Sequence, residues 1–96
     1  MNILVRYLPG FVEDFNRFSE HDKMVIRTAI DKLRANPYSK KDGGYGNLIS
    51  GDGESGIMSV KIIFTDIRIV YKLMKSKDNM LLIFAQVSND NSRKII

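Results

Sequence analysis

Ser59-Val60-Lys61-Ile62-Ile63-Phe64-Thr65-Asp66-Ile67-Arg68-Ile69-Val70-Tyr71-Lys72 decides how this chain folds. Side chains alternate between the faces of a strand, so the stretch can be sorted by counting. Met58, Val60, Ile62 and Phe64 share one face of a first strand, and Ile67, Ile69, Tyr71 and Leu73 one face of a second. A turn at Thr65-Asp66 pairs Phe64 with Ile67, Ile62 with Ile69 and Val60 with Tyr71, which brings the two apolar faces together. The opposite face then carries Lys61, Arg68 and Lys72, with Lys61 diagonal to the other two. Diagonal neighbours are roughly 7–8 Å apart, within reach of long side chains. Thr-Asp is a weaker hairpin turn than Asn-Gly or Asp-Gly, so a longer loop stays open as an alternative. An odd shift of register would scatter the charges. Permanent cations gathered on a sheet attract phosphate, which makes nucleic acid the first ligand to consider.

Outward from the hairpin, Asn2 to Leu8 reads as a first strand, apolar and β-branched, ended by Pro9-Gly10. Phe11, Phe15 and Phe18 fall on one stripe of a helix and are expected in the core. Ser19, with Asp22 three residues on, has the spacing that caps a second helix. Its apolar face is Val25, Ile26, Ala29, Ile30 and Leu33, and Asn36-Pro37 stops it. The glycine-rich segment from Tyr38 to Gly56 is expected to be the loosest part, with Leu48 and Ile49 forming a short strand or anchoring the loop. Its glycines match no nucleotide-binding fingerprint, since no strand leads in and no helix follows. Met80 to Val87 is apolar on both faces and reads as an interior strand. The order β-α-α-β-β-β predicts a two-layer α+β domain, two helices on one face of an antiparallel sheet.

The chain of 96 residues is expected to form a single domain, 1–96. A net charge of +4 and a pI near 9.5 favour acidic partners without bearing on fold. The absence of cysteine excludes thiolate nucleophiles, disulfides and cysteine-based zinc sites. No carboxylates or histidines show ligand spacing, so no metal or cofactor is expected. No apolar run approaches the roughly 20 residues of a membrane span. Met1 to Tyr7 is too short and too broken for a signal peptide, so a soluble cytoplasmic protein is expected.

Several pieces share one order with a known family. They are Ile30-Asp31-Lys32-Leu33-Arg34-Ala35-Asn36-Pro37, Leu48-Ile49-Ser50-Gly51, Lys61-Ile62, and Asp66-Ile67-Arg68-Ile69-Val70-Tyr71-Lys72. In this order the chain resembles the RelE/ParE superfamily of bacterial type II toxins, from its first strand to its last. The resemblance implies one of two activities. RelE-like members are metal-independent endoribonucleases that cut messenger RNA in the ribosomal A site, and ParE-like members poison DNA gyrase. An inert member that only binds antitoxin is a third reading. The expected partners are a cognate antitoxin, messenger RNA and the ribosome, with no membrane, in a monomer or an antitoxin-bound hetero-oligomer.

By the same resemblance, Lys61 supports activation of the ribose 2′-hydroxyl and Arg68 holds the scissile phosphate. Three departures bear on this. Ser59 and Ser50 stand where family members often carry lysine. The last strand leads into Asn89-Asp90-Asn91, with no tyrosine or histidine in the tail. Arg93 is then the candidate second phosphate clamp, completing a catalytic set of Lys61, Arg68 and Arg93. Lys72, Lys40, Lys41 and Lys94 are candidate substrate-binding cations. Asp52 and Glu54 could serve as a general base from the glycine-rich loop. His21, among charged neighbours at the start of the second helix, reads as an exposed residue, and Tyr71 as a packing residue with its hydroxyl bonded.

Overall fold

The computed structural model describes residues 2–89. Along them run β1 (Asn2–Tyr7), α1 (Pro9–Asn16), α2 (Glu20–Ala35), a 3-10 turn (Lys40–Asp42), β2 (Asn47–Gly51), β3 (Ser55–Lys61), β4 (Ile67–Lys75) and β5 (Asn79–Asn89). Each helix has a local cause. Pro9, whose ring presets a helical φ, stands in the first turn of α1. The Ser19 hydroxyl accepts a hydrogen bond from the Asp22 N–H at 3.2 Å and so caps α2. Glu20 and Asp22 in its first turn and Lys32 and Arg34 in its last complement the helix dipole. α2 stops at Ala35 because Pro37 pushes Asn36 out of helical geometry, to φ −148° and ψ 82°.

The strands form one five-stranded sheet in the order β1-β5-β4-β3-β2. β2 to β5 are mutually antiparallel. β1 is the exception to the expected antiparallel sheet, since it pairs with β5 in parallel. The connection that makes this feasible is the helical crossover through α1 and α2. The two-layer α+β arrangement is otherwise the expected one. Leu48 and Ile49 form a strand, β2, along the far edge.

One face of the sheet meets both helices in a single core. Phe11, Ile26, Ile30 and Leu33 come from the helices, and Met58, Ile67, Ile69, Tyr71, Leu73, Met80, Leu82, Phe84 and Val87 from the strands. Phe15 and Phe18 pack half-buried against its rim. Phe84 and Val87 are three residues apart yet face the same way. The pairing moves from Val70–Gln86 to Tyr71–Phe84, leaving Ala85 as the extra residue of a bulge. Tyr7, Phe11, Phe84 and Tyr71 make a chain of ring contacts with centroids 5.3–6.1 Å apart.

The segment from Tyr38 to Gly46, expected to be loose, is tied to itself and to the core. Lys40 N–H donates to the Gly46 carbonyl at 2.8 Å, and Gly46 N–H to the Tyr38 carbonyl at 3.2 Å. The buried Tyr71 hydroxyl donates to the Pro37 carbonyl at 3.1 Å, as a packing tyrosine requires. Gly46 is where this strap crosses the core. A β-carbon there would press on the Tyr71 hydroxyl and lie 2.7 Å from Met58 Sδ.

Candidate nucleic-acid interface

The β3–β4 hairpin closes later than a Thr65-Asp66 turn would have it. Ile62 N–H bonds the Ile67 carbonyl at 2.9 Å, so the loop spans 63–66 and Phe64 does not pair with Ile67. The register differs from the expected one by two residues. An even shift keeps every side chain on its predicted face. It changes who stands beside whom. Lys61, the last residue of β3, lies directly opposite Arg68, near the start of β4, rather than diagonal to it. Because Ile62–Ile67 carries the ladder hydrogen bond, Lys61–Arg68 is a non-hydrogen-bonded pair, with Cα atoms about 4.5 Å apart. Lys61 is exposed and Arg68 half-buried.

Two like charges opposite each other disfavour a strand pair. Arg68, Asp66 and Asn89 each have an interaction partner. Ser88 of β5 stands on the other side of Arg68. One row back on the same face come Gln86, Val70, the buried Ser59 and Asn47. This end of the open face therefore presents two cations among hydroxyl and amide groups. Planar guanidinium donors match a phosphate's oxygens in pairs, and an ammonium beside them adds a mobile point charge.

Of the other predicted site residues, Lys72 separates from the pair while Lys40 stays beside Lys61. Lys72 lies opposite Ile57, not diagonal to Lys61, and is four positions along β4 from Arg68, about 13 Å away. Lys40 and Lys41 sit on the 3-10 turn. Lys40 shares with Lys61 and Lys32 the rim of an apolar groove of about 500 Å³, floored by Val25, Ala29, Leu33, Val60 and Ile62. Asp52 and Glu54 are in the β2–β3 turn, at the opposite end of β3 from Lys61, about 20 Å away. The Asp52 carboxylate accepts from the Glu54 N–H at 2.8 Å and the Ser55 N–H at 3.0 Å. Those two bonds hold its pKa below the usual carboxylate value and fix it as a turn residue, not a general base beside Lys61. His21 is exposed in the first turn of α2. Arg93 and Lys94 lie outside the described residues. Among the described residues no cluster of histidines and carboxylates could hold a metal ion. No helix of these residues is long and apolar enough to cross a membrane.

Sequence reasoning missed Gln86 and Ser88, whose place on this face depends on the Ala85 bulge, and it set Ser59 on this face opposite Lys72, where Val70 stands instead. It also put Phe64 in the core. The weak turn signal of Thr-Asp was the cue that the loop was longer.

No protein-family model matches the chain, and no curated protein matches its sequence. Two solved structures match its shape. The archaeal RelE–RelB complex from Pyrococcus horikoshii OT3 includes a chain that superposes with a TM-score of 0.71 at 14% identity, over 93% of this chain and 96% of that one. A YoeB/ParE toxin from Agrobacterium tumefaciens does so with a TM-score of 0.63 at 19% identity, over 93% of this chain and 98% of that one. The chain has the RelE/ParE toxin fold. Both matches run over nearly all of the chain. Lys61 and Arg68 lie on the hairpin of β3 and β4, β4 being the middle strand of the sheet.

Proposed function

We propose that this chain is the toxin of a type II toxin–antitoxin pair, a metal-independent endoribonuclease that cuts messenger RNA on the ribosome in the cytoplasm. The observation that carries the reading is the Lys61–Arg68 pair, set directly across two strands on the open face. The likeness to a chain of an archaeal RelE–RelB complex supports an antitoxin as partner.

The chemistry follows from the groups at hand. In cleavage by the neighbouring hydroxyl, the ribose 2′-oxygen loses its proton and bonds to phosphorus. The bond from phosphorus to the 5′-oxygen breaks, and that oxygen takes up a proton. The products carry a 2′,3′-cyclic phosphate and a 5′-hydroxyl. Negative charge accumulates on the phosphoryl oxygens in between, and fixed cations aimed at it are usually the largest catalytic contribution. Arg68, half-buried on β4, is the clamp on the phosphate. Lys61, exposed on the adjacent strand, is placed to favour the ionised 2′-oxygen. Arg93 is the proposed second clamp.

A ParE-like toxin that inhibits gyrase by binding is the second reading, favoured by the lack of tyrosine or histidine between Asn89 and Ile96. Primer extension on cellular transcripts after induction separates the two. New 5′ ends inside coding sequences, absent with Lys61→Ala and Arg68→Ala, are expected. Intact transcripts with trapped gyrase–DNA complexes would give the ParE reading, and full toxicity of a folded double variant would reject the site.

A further inference from the structure

Phe64 stands at the tip of the β3–β4 loop, where its side chain is fully exposed (103%). Its φ is +65°, and among the described residues it is the non-glycine residue in the left-handed region. Both features work against stability. A large apolar ring gains nothing from water, and a β-carbon disfavours this backbone conformation. Unfavourable local choices of this kind concentrate at functional sites.

The loop itself is firmly built. Thr65 N–H and Thr65 Oγ1 both donate to the Ile62 carbonyl, at 3.1 and 2.8 Å, and Ile67 N–H donates to Thr65 Oγ1 at 3.0 Å. With the Ile62–Ile67 ladder bond beneath them, these contacts pin Ile62 and Thr65, which bracket Ile63 and Phe64. The ring is thus offered to solvent from a fixed base. Lys61 and Arg68 close the two strands under that base, and Phe64 is three residues past Lys61, within about 11 Å along the chain.

We propose that Phe64 is a stacking platform for one base of a single-stranded RNA, the nucleotide next to the one whose phosphate is held between Lys61 and Arg68. This rests on the nucleic-acid reading of that pair. Single strands are bound by cations that follow the backbone and by aromatic faces on which bases stack, whatever their sequence. The hairpin end supplies both within one loop. The adjoining Ile63 is exposed as well (74%), but the two cations beside the tip suit a base and its phosphate better than the charge-poor core of a protein interface.

The chain contains no tryptophan, so Phe64→Trp creates a single fluorescent reporter at the tip. The probe is a short single-stranded RNA with 2′-O-methyl riboses, which 2′-hydroxyl attack cannot cleave, titrated at low ionic strength. Phe64→Trp is expected to bind like the unaltered chain, with its emission quenched on binding. Phe64→Ala and Phe64→Gly are expected to bind roughly 5- to 100-fold more weakly. Phe64→Gly relieves the positive φ, so its melting temperature is expected at or above that of the unaltered chain, and weaker binding then does not come from unfolding. If Phe64→Gly binds within about twofold of the unaltered chain while Lys61→Ala with Arg68→Ala loses binding, the stacking role is wrong and the nucleic-acid reading stands. Binding undiminished by the Lys61 and Arg68 substitutions, or absent from the unaltered chain, removes both.

Discussion

Lys61 and Arg68 ended up on one face because a strand repeats every two residues, which makes facing insensitive to any even error in register. The same arithmetic put Tyr71 in the core, where its hydroxyl meets the Pro37 carbonyl. Burial pushes the Tyr71 pKa from 10.0 up to about 12. Below pH 10 the phenol is protonated whether the chain is folded or not, and its contribution to stability is fully present. As pH rises from 10 toward 12 the unfolded chain ionises first, and that contribution is lost. Tyr71→Phe is expected to cost about 1 kcal/mol near neutral pH through the lost hydrogen bond. Its denaturation midpoint should then fall less steeply over this alkaline range, and parallel slopes for the two chains would count against the buried phenol as the cause. Phe64 shows where residue-level reading runs out. Nothing in the residue type distinguishes a phenylalanine that ends a strand from one displayed on a loop, and its positive φ is a property of the loop, not of the ring.

Elements were legible where a local stop signal existed. β4 runs from Ile67 to Lys75 as its alternation indicates, and α2 runs from the Ser19 cap to the residue before Asn36-Pro37. β3 was drawn too long because Ile62-Ile63-Phe64 is apolar and carries no stop, although only Ile62 of the three packs against the core. The bulge at Ala85 left no mark, since β5 is apolar on both faces and an extra residue does not disturb a pattern that is not there. The glycine-rich strap was misjudged for a different reason. Glycine can signal freedom or close approach, and at Gly46 it is the second. Gly46→Ala would force a methyl group against the Tyr71 hydroxyl and Met58, so a loss of about 1–3 kcal/mol is expected in denaturant unfolding. A neutral substitution would mean that the strap can lift off the core without cost. The Lys61–Arg68 pair stands at the other end of this argument, because the strap and α2 together form the groove on whose rim Lys61 lies.

At the scale of the molecule, the layers were readable and the strand order was not. Two amphipathic helices followed by a meander leave few ways to cover one sheet face. That β1 joins β5 in parallel depends on partners more than seventy residues apart, which no local pattern records. The resulting sheet keeps one face under the helices and turns the end of the other, with its two cations, outward. Cleavage by the neighbouring hydroxyl leaves a chemical signature that binding does not, so the ends of the RNA test the central claim most directly. Purified protein is incubated with ribosomes programmed with a defined messenger RNA, and the fragments are examined by enzymatic labelling of their 5′ ends. Fragments with 5′-hydroxyl and 2′,3′-cyclic phosphate ends, undiminished by a chelator that leaves the ribosomes intact and lost with Lys61→Ala or Arg68→Ala, are the expected result. Intact message, fragments bearing 5′-phosphates, or cleavage that survives both substitutions would contradict it.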